Sequence, residues 1–332
     1  MNYIYANILG VWVFNDQFEV EDKLLFSEDD YSRILKLENG KLIDEEKQLA
    51  EKYDGKIVGN STGYGLGKSN GKSYVPLKIL AYFREKKFLN EIKSKTLRLV
   101  KKKISEDVKK DALIVQAMNQ IDELDKIMNN LGKRLREWYG LYNPEFERTI
   151  SDHEKFAEIL LKKSKEELLR ELNIELSMGI DLNNNDLLAL RRVAQQLIEL
   201  GKLKEDQKEY VDELMKKEAP NVLAICGPMI GGKLVSLAGG LEKLSLFPAS
   251  TIQLLGAEKA LFRHIKTGAR CPKYGILINH PFVTGAKKDI KARAARLLAD
   301  KISIAVKVDY FKGEFIGDKL KKEIQDKLKL EN

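Results

Sequence analysis

Between residues 114 and 138, apolar residues recur at alternating spacings of three and four positions. The repeat consists of Ile114, Ala117, Ile121, Leu124, Met128, Leu131, Leu135 and Trp138. This spacing lines the residues along one side of a helix and is typical of a coiled-coil seam. It predicts a long helix that buries the seam against another helix, and these residues are the candidate coiled-coil dimerisation surface.

A second apolar repeat follows between residues 187 and 214. It consists of Leu187, Leu190, Ala194 and Leu197, and then changes phase through Leu200 and Leu203 to Tyr210 and Leu214. The change predicts a local irregularity in a second long helix. Capping-box patterns at Ser151 and Ser164 predict helix starts between the two repeats. The pattern leaves two alternatives open: a bundle that packs only within the chain, or a coiled coil that self-associates.

The N-terminal segment has the alternation of strands rather than the periodicity of helices. The runs YIYANILGVWVF and QFEVEDKLLF flank Asn15 and Asp16, which predicts one β-hairpin. A helix is expected from residue 29 to residue 53, followed by a short strand at Ile57–Val58. These elements predict a small α/β domain over residues 1–75.

Pro220 and Pro228 interrupt the apolar pattern at the start of the last third of the chain, where glycine-rich joints separate short helical stretches. The chain ends on a charged helical pattern that is expected to be solvated. The fold class is therefore an α+β N-terminal domain followed by a mainly α chain. We expect a helical linker and coiled-coil hairpin over residues 76–218, a helical domain over residues 219–328, and a tail over residues 329–332.

Positive charge is concentrated in the third domain. Residues 219–317 contain 15 lysines and arginines against six aspartates and glutamates, a local charge of +9, whereas the whole chain carries +8. A basic module on a nearly neutral chain indicates a polyanionic partner, most often a nucleic acid. The alternative is an ordinary solvated surface.

The densest part of this module is GAEKALFRHIKTGARCPKYG, residues 256–275. Lys259, Arg263 and Lys266 follow one another at helical spacing and can face a phosphate backbone together. We expect Phe262 to pack inward and His264 to stack on RNA or donate a hydrogen bond to it.

The stretch GPMIGGKL offers a competing chemistry. Gly227, Gly232 and Lys233 have the spacing of a phosphate-binding loop after the apolar run VLAIC. Leu234 replaces the hydroxyl residue that binds magnesium in such loops, and Pro228 lies inside the loop. A nucleotide-dependent RNA-remodelling enzyme that uses Lys233 is therefore an alternative to a non-catalytic binding protein.

Other chemistry finds little support in the composition. Cys226 and Cys271 are the two cysteines, too few for a disulfide framework or a zinc cluster, and a reducing cytoplasm fits them. The three histidines are scattered, and paired carboxylates at catalytic spacing are not recognisable. The apolar N-terminus lacks a basic leader, and the apolar runs fall short of a membrane span. We expect a cytoplasmic, non-enzymatic chain without a membrane anchor, metal or cofactor of its own.

Several ordered motifs of the last two thirds, LREWYG, PAS, LGAEKALFR, PKYG and LADKISIAVKVD, occur together. Over residues 80–330 they resemble the Nop domain of archaeal and nucleolar box C/D ribonucleoprotein scaffolds, a domain shared with a spliceosomal pre-mRNA processing factor. The resemblance implies a long antiparallel coiled-coil hairpin and a helical Nop domain. The absence of a long lysine-rich tail favours the archaeal type.

The resemblance also implies a function. The first domain would dock fibrillarin, a methyltransferase that carries S-adenosylmethionine. The hairpin would pair two copies as a homodimer, and the Nop domain would bind guide box C/D RNA with a ribosomal-type kink-turn-binding protein. The assembly would direct 2′-O-methylation of rRNA or tRNA. A splicing-type factor with the same domain is a further alternative.

The candidate RNA-binding residues combine the basic positions with the motif positions. They are Lys233, Gln253, Glu258, Lys259, Arg263, His264, Lys266, Arg270, Lys273, Asn279, Lys287, Lys288, Lys291, Arg293 and Arg296. Asn279 stands where the spliceosomal relative has a histidine. A glycine-rich insert near residues 61–74 has no match in the family, so the resemblance does not identify the fibrillarin-docking residues.

Overall fold

A computed structural model describes residues 2–27, 31–38, 41–58 and 75–329. The chain divides into two compact units, Met1–Val108 and Lys109–Asn332. The glycine-rich insert lies outside the described residues.

The first unit is built on a four-stranded sheet in the order β3-β2-β1-β4. The strands are β1 (Tyr3–Asn7), β2 (Gly10–Phe14), β3 (Val20–Leu25) and β4 (Lys56–Val58). Neighbours β1, β2 and β3 are antiparallel, whereas β4 runs parallel to β1. The predicted single hairpin is therefore two hairpins.

The extra turn lies inside the apolar run that predicted one strand. The Asn7 side chain accepts a hydrogen bond from the backbone N–H of Leu9 (2.8 Å), which reverses the chain. Gly10 follows, and a Cβ there would collide with the backbone oxygen of Leu24 in the neighbouring strand. Asn7 and Gly10 thus mark a turn that the apolar alternation concealed.

The described part of the first unit also contains the helices α1 (Tyr31–Glu38), α2 (Asp44–Tyr53), α3 (Leu77–Tyr82) and α4 (Lys86–Asp107). Two helices replace the single helix predicted from residue 29 to residue 53. The second of these helices, α2, begins after Ile43, whose backbone N–H donates a hydrogen bond to the Glu46 carboxylate (3.0 Å). Burial raises the pKa of Glu46.

The first unit extends beyond the expected boundary at residue 75. Ile79, Phe83 and Leu99 of the segment that follows are buried in the same core as Trp12. The rings of Trp12 and Phe83 meet edge to face with centroids 4.8 Å apart. This aromatic packing makes α3 and α4 part of the first unit.

The second unit begins with a helical hairpin. Its long helices are α5 (Asp111–Tyr142) and α9 (Asn184–Glu218), and α6 (Pro144–Glu147), α7 (His153–Lys162) and α8 (Lys165–Glu171) connect them. The start of α5 shares a core with the end of α9, and the end of α5 shares a core with the start of α9. The two helices therefore run antiparallel, as predicted.

The first seam is buried along most of its predicted length but shifts near its end. Leu131 is half-buried and Trp138 is 40% exposed, whereas Gly132 and Tyr139 are buried instead. A straight helix drifts about 20° per heptad relative to a repeat of 3.5 residues. After two heptads the drift of about 40° brings Gly132 and Tyr139 closer to the centre of the inward face than Leu131 and Trp138. The other predicted seam residues, Ile114, Ala117, Ile121, Leu124, Met128 and Leu135, are buried.

The second seam keeps its phase, contrary to the prediction. Leu203 and Tyr210 are 39% and 40% exposed, while Gly201 and Val211 are buried. Between the two buried positions, the partly buried Lys204 reaches Asp125 of α5 at 2.6 Å. The lysine stem replaces an apolar residue in the seam, which is why the apolar pattern alone suggested a change of phase.

The connector helices begin at capped residues. The Ser164 and Glu167 side chains complete the predicted capping box of α8. The other start lies one residue later than predicted, because Asp152 accepts hydrogen bonds from the N–H groups of Glu154 and Lys155 (2.9 and 3.1 Å).

The remaining helices form the C-terminal part of the second unit. They are α10 (Pro220–Ala238), α11 (Leu241–Leu246), α12 (Ala249–Leu254), α13 (Glu258–Thr267), α14 (Pro281–Thr284), α15 (Lys291–Tyr310) and α16 (Gly317–Lys329), with a 3-10 turn at Ile276–Asn279. The final helix, α16, was predicted to be solvated, but one of its sides is buried. Leu320, Ile324 and Leu328 are buried against α10 and α15, and they follow one another at i, i+4 and i+8.

By length and composition alone, helix α10 is long and apolar enough to cross a membrane. The sequence pattern had predicted only shorter apolar runs. Gly227 has φ 72° and ψ 170°, so a kink divides it into two shorter helices. Its flanks pack against α5, α9, α15 and α16. The apolar character of α10 is therefore explained by its place in the core.

A buried carboxylate fixes the start of α10. Asp309 of α15 accepts hydrogen bonds from the N–H groups of Asn221 and Val222 (3.1 and 2.9 Å) and from the Asn221 side chain (2.7 Å). Asn221 in turn accepts from the N–H of Ile316 (2.6 Å). The network joins α10, α15 and the turn before α16.

Replacement of Gly132 by alanine is expected to destabilise the second unit by about 1–3 kcal/mol. A Cβ at this position would overlap the ring of His153, which Arg136 holds in place through a 2.9 Å hydrogen bond to Nδ1. Chemical denaturation measures the loss. Gly140→Ala in the same helix is the control, because its Cβ would meet only Glu147 at an ordinary 3.6 Å; equal effects of the two substitutions would contradict the prediction.

The stability of the second unit should fall as the pH drops below about 6.5, the ordinary pKa of histidine. Burial and the neighbouring Arg136 lower the pKa of His153, because its Nδ1 must stay unprotonated to accept the Arg136 hydrogen bond. The contribution is present above the unfolded pKa and disappears as the pH falls through the folded one.

Denaturation of the wild type and His153→Gln at pH 7.5 and 5.0 measures this contribution. Glutamine accepts hydrogen bonds but does not titrate, so the variant should lose less stability on acidification. Burial also lowers the pKa of His280. Because both proteins contain His280, its contribution to the pH dependence of stability is the same in each. An unchanged pH dependence would show that His153 is not the responsible group.

Candidate nucleic-acid interface

The basic stretch at residues 256–275 forms a closed helical arm. Its two ends meet where the N–H of Gly275 donates to the backbone oxygen of Gln253 (2.8 Å) and the N–H of Ile276 donates to that of Leu255 (2.7 Å). A Cβ on Gly275 would overlap the backbone of Leu255. The glycine of PKYG is thus required for the close approach of the two chains at the base.

Three candidate RNA-binding residues make hydrogen bonds within this arm. The Gln253 side chain donates to the backbone oxygen of Lys273 (2.6 Å), and the Glu258 carboxylate accepts from the N–H of Gly256 (2.6 Å). His264 contacts the backbone oxygen of Ala269 through Nδ1 at the other end of α13. These hydrogen bonds stabilise the arm, and two of them lie at the two ends of α13.

The outer surface of α13 combines cations with large apolar side chains. Lys259, Arg263 and Lys266 are exposed, as the spacing predicted. Phe262 is 66% exposed and Ile265 is 74% exposed, so the expectation that Phe262 packs inward is wrong. Among the described residues α13 buries none of its own side chains, because the arm leaves the core at Gly256 and returns to it at Gly275.

Further candidate cations follow α13 in the sequence, as far as the first turns of α15. Arg270 and Lys273 lie exposed on the irregular segment that returns from α13 to the base of the arm, and Asn279 is exposed at the end of the 3-10 turn. Lys287 and Lys288, just before α15, and Arg293 and Arg296, in its first two turns, are exposed, and Lys291 at its first position is half-buried. The helix α12 and the 3-10 turn that hold the arm pack against α15. The same helix that anchors the arm therefore carries the second group of cations.

The alanines and leucines of that basic segment face the core. Ala294, Ala295 and Leu298 are buried and the cations between them remain outside. The segment thus separates the side chains that pack in the core from those that carry charge.

Lys233 is paired with a residue of the helical hairpin. It forms an ion pair with Asp122 of α5, and its side chain is 23% exposed. The run VLAIC and the segment GPMIGGKL both belong to the kinked helix α10, whereas a phosphate-binding loop follows a strand. The segment IAVKVD is helical as well, and its Asp309 caps α10. The segment therefore has the glycine and lysine spacing of a nucleotide-binding loop but not the structure of one.

The cysteines and histidines show no arrangement for metal binding. Cys226 is buried, which raises the pKa of its thiol, and Cys271 is exposed. The buried ring of His280 contacts the backbone oxygen of Ile225 through Nε2 (2.9 Å) and accepts from the N–H of Phe282 through Nδ1 (3.2 Å). Within the described ranges no three His, Cys, Asp or Glu side chains are grouped as metal ligands.

The arrangement of the arm suits contact with a nucleic acid. Exposed lysines and arginines attract phosphates, and an exposed phenylalanine beside them can stack on a base or a terminal base pair. The sequence identified the cations because charge is visible in composition. It missed Phe262 because an apolar residue at helical spacing is usually buried; the glycines that delimit the arm, Gly256 and Gly275, were the available signal.

Comparison with known proteins agrees with these features. Residues 120–330 match the Nop family, described as "snoRNA binding domain, fibrillarin". The chain is 36% identical over 327 residues to an uncharacterized NOP5 family protein of Methanocaldococcus jannaschii, covering 91% of this chain and 78% of that relative.

Longer eukaryotic proteins are similar over part of the chain. Nucleolar protein 56 of Homo sapiens is 33% identical over 241 residues, 66% of this chain and 41% of that protein. Nucleolar protein 58 of Lodderomyces elongisporus is 37% identical over 230 residues, 64% of this chain and 44% of that protein. The chain thus spans less than half of the length of these nucleolar relatives.

A solved structure entitled "Crystal structure of fibrillarin/Nop5p complex" covers 98% of both chains, with 21% identity and a TM-score of 0.46. The family match covers more than half of the chain, and the NOP5 relative matches nearly all of it. The chain belongs to the Nop family.

Proposed function

We propose that this chain is the scaffold of a box C/D guide ribonucleoprotein. It binds guide RNA through the arm and the cations at the start of α15, together with a ribosomal-type kink-turn-binding protein, and it carries fibrillarin on its first unit. The reaction is 2′-O-methylation of rRNA or tRNA, performed by fibrillarin with S-adenosylmethionine. This chain supplies position and orientation, which lower the entropic part of the barrier.

The observation that carries the proposal is the exposed arm. A helix that leaves the core with cations and two bare apolar side chains is costly unless a partner covers it. Lys259, Arg263 and Phe262 together match the two chemistries of an RNA end, phosphate and stacked base.

We further propose that the chain forms a homodimer through the outer side of α5. The predicted seam is mostly used within the chain, but Leu131 and Trp138 remain partly or largely exposed. Ile127 and Leu141, exposed by 48% and 59%, lie on the same side of the helix, since these four positions fall within about 80° of arc. This second stripe gives a copy of the chain an apolar surface to pack on.

The RNA contact is tested by the salt dependence of binding. Lys259→Ala with Arg263→Ala should lower the slope of log affinity against log salt by about 1.8 for duplex contacts, because each phosphate that a cation no longer neutralises lowers it by about 0.9. Phe262→Ala should weaken binding by about 1–3 kcal/mol without changing the slope, because stacking releases no counterions. Fluorescence anisotropy with a kink-turn guide RNA and the kink-turn protein measures both.

Lys319→Ala with Lys322→Ala is the matched control, since both residues are exposed on α16, away from the arm in sequence. The RNA proposal is wrong if the control and the arm variant lower the slope equally. A wild type that assembles with the RNA but never with fibrillarin would point to a splicing-type factor instead.

The dimer is tested by light scattering coupled to size exclusion. Ile127→Asp with Trp138→Asp should convert the dimer to a monomer, because two carboxylates in an apolar interface lose their hydration. Lys133→Asp, exposed on a different side of α5, should leave the dimer intact. A monomeric wild type at high micromolar concentration would rule out the proposed dimer.

A further inference from the structure

Helix α4 of the first unit has two apolar faces. Its inner face packs into the core of the unit through the buried Leu99 and the half-buried Phe88 and Ile92. Its outer face carries Leu89, Leu97, Val100 and Ile104, whose exposed fractions are 48%, 50%, 43% and 60%. An ordinary surface helix has one apolar face, so the second one needs an explanation.

The outer side chains form one stripe rather than a scatter. At about 100° per residue, Leu89, Val100, Ile104 and Leu97 fall in that order within about 80° of arc. The stripe extends over four turns, from Leu89 to Ile104. A long apolar stripe on an exposed helix is the feature that grooves of partner proteins recognise.

Among the described side chains of α4, the charges within or next to the arc of the stripe are positive. Lys86 and Lys93 lie within the arc of the stripe and Lys101 lies at its edge, all three exposed. Glu91 and Glu106, the acids of the helix whose side chains the structure describes, are exposed on other sides of it. The stripe therefore fits an apolar groove with acidic residues at its rim, because opposite charges at a rim guide and orient docking.

We propose that this α4 stripe is the surface through which the first unit docks the methyltransferase, in an acidic-rimmed apolar groove of that enzyme. The inference rests on the proposed function, in which the first unit carries fibrillarin. It adds the face, which neither the family match nor the motifs identify.

The composition of the stripe favours a protein over RNA as its occupant. Leu89, Leu97, Val100 and Ile104 are aliphatic and offer neither a ring for stacking nor a donor for phosphate. RNA-binding surfaces combine cations with aromatic rings, as the arm does with Arg263 and Phe262, whereas the lysines beside this stripe border aliphatic side chains alone. The two surfaces of the chain therefore differ in chemistry as well as in location along the sequence.

Isothermal titration of the full chain with fibrillarin tests the proposal. Leu97→Asp with Val100→Asp should weaken binding by about 30-fold or more, the loss expected for buried anchor residues. Ser94→Asp with Ser105→Asp is the matched control, since it adds the same charge at exposed positions of α4 outside the stripe. Both variants should keep the wild-type circular dichroism spectrum and RNA affinity.

A second pair of substitutions tests the charge argument. Lys93→Glu with Lys101→Glu should weaken binding by about tenfold at low salt, and raising the salt should reduce the difference, because rim charges are screened. A loss that is independent of salt would contradict the acidic rim.

The outcomes separate this inference from the proposed function. A wild type that does not bind fibrillarin refutes the proposed function. A wild type that binds, with a Leu97/Val100 variant that binds within about twofold of it, refutes the docking face alone. A variant that changes the oligomeric state by light scattering, but not fibrillarin binding, would assign the stripe to a second copy of the chain and also overturn the inference.

Discussion

The packing of α10 between the helical hairpin and the C-terminal helices is the constraint on which the second unit depends. One continuous core contains the start of α5, the end of α9 and the inner residues of α10, α15 and α16. The hairpin and the base of the arm are therefore parts of one body. Asp309 holds the first turn of α10, and the ion pair of Lys233 with Asp122 ties its second half to α5. A scaffold needs this continuity, since any freedom between the arm and the hairpin would spread the distances it sets.

Polar groups determine the position of α10 more narrowly than its apolar surface does. Apolar packing tolerates small shifts, whereas a buried carboxylate must keep all its donors. Burial raises the pKa of Asp309, and the hydrogen bonds from Asn221 and Val222 act against that increase. The kink at Gly227 then directs the second half of the helix toward α5. An uninterrupted apolar helix would fill the same space with fewer restrictions on its register.

The sequence predicted the parts of the fold that depend on regular spacing. The two long helices, their antiparallel pairing and the basic region follow from apolar periodicity and charge. The errors occurred where a polar residue takes an apolar place, as Lys204 does in the second seam, or where a short polar signal interrupts an apolar run, as Asn7 and Gly10 do. Lys233 shows a third case, in which the spacing of a loop motif arises inside a helix. Tertiary packing determines the structure in each of these three cases, and the spacing of residues along the sequence does not contain that information.

The candidate interface was predictable in charge but not in shape. Cations stay on the surface in almost any fold, so the exposure of Lys259 and Arg263 on one helix could be predicted from the sequence. Phe262 could not, because its exposure depends on a closed base that holds α13 away from the core. That base requires the glycine at position 275, whose missing side chain lets two backbones meet. A buried glycine at the base of the arm therefore leaves Phe262 exposed at the surface, and the proposed contact of the arm with RNA depends on that exposure.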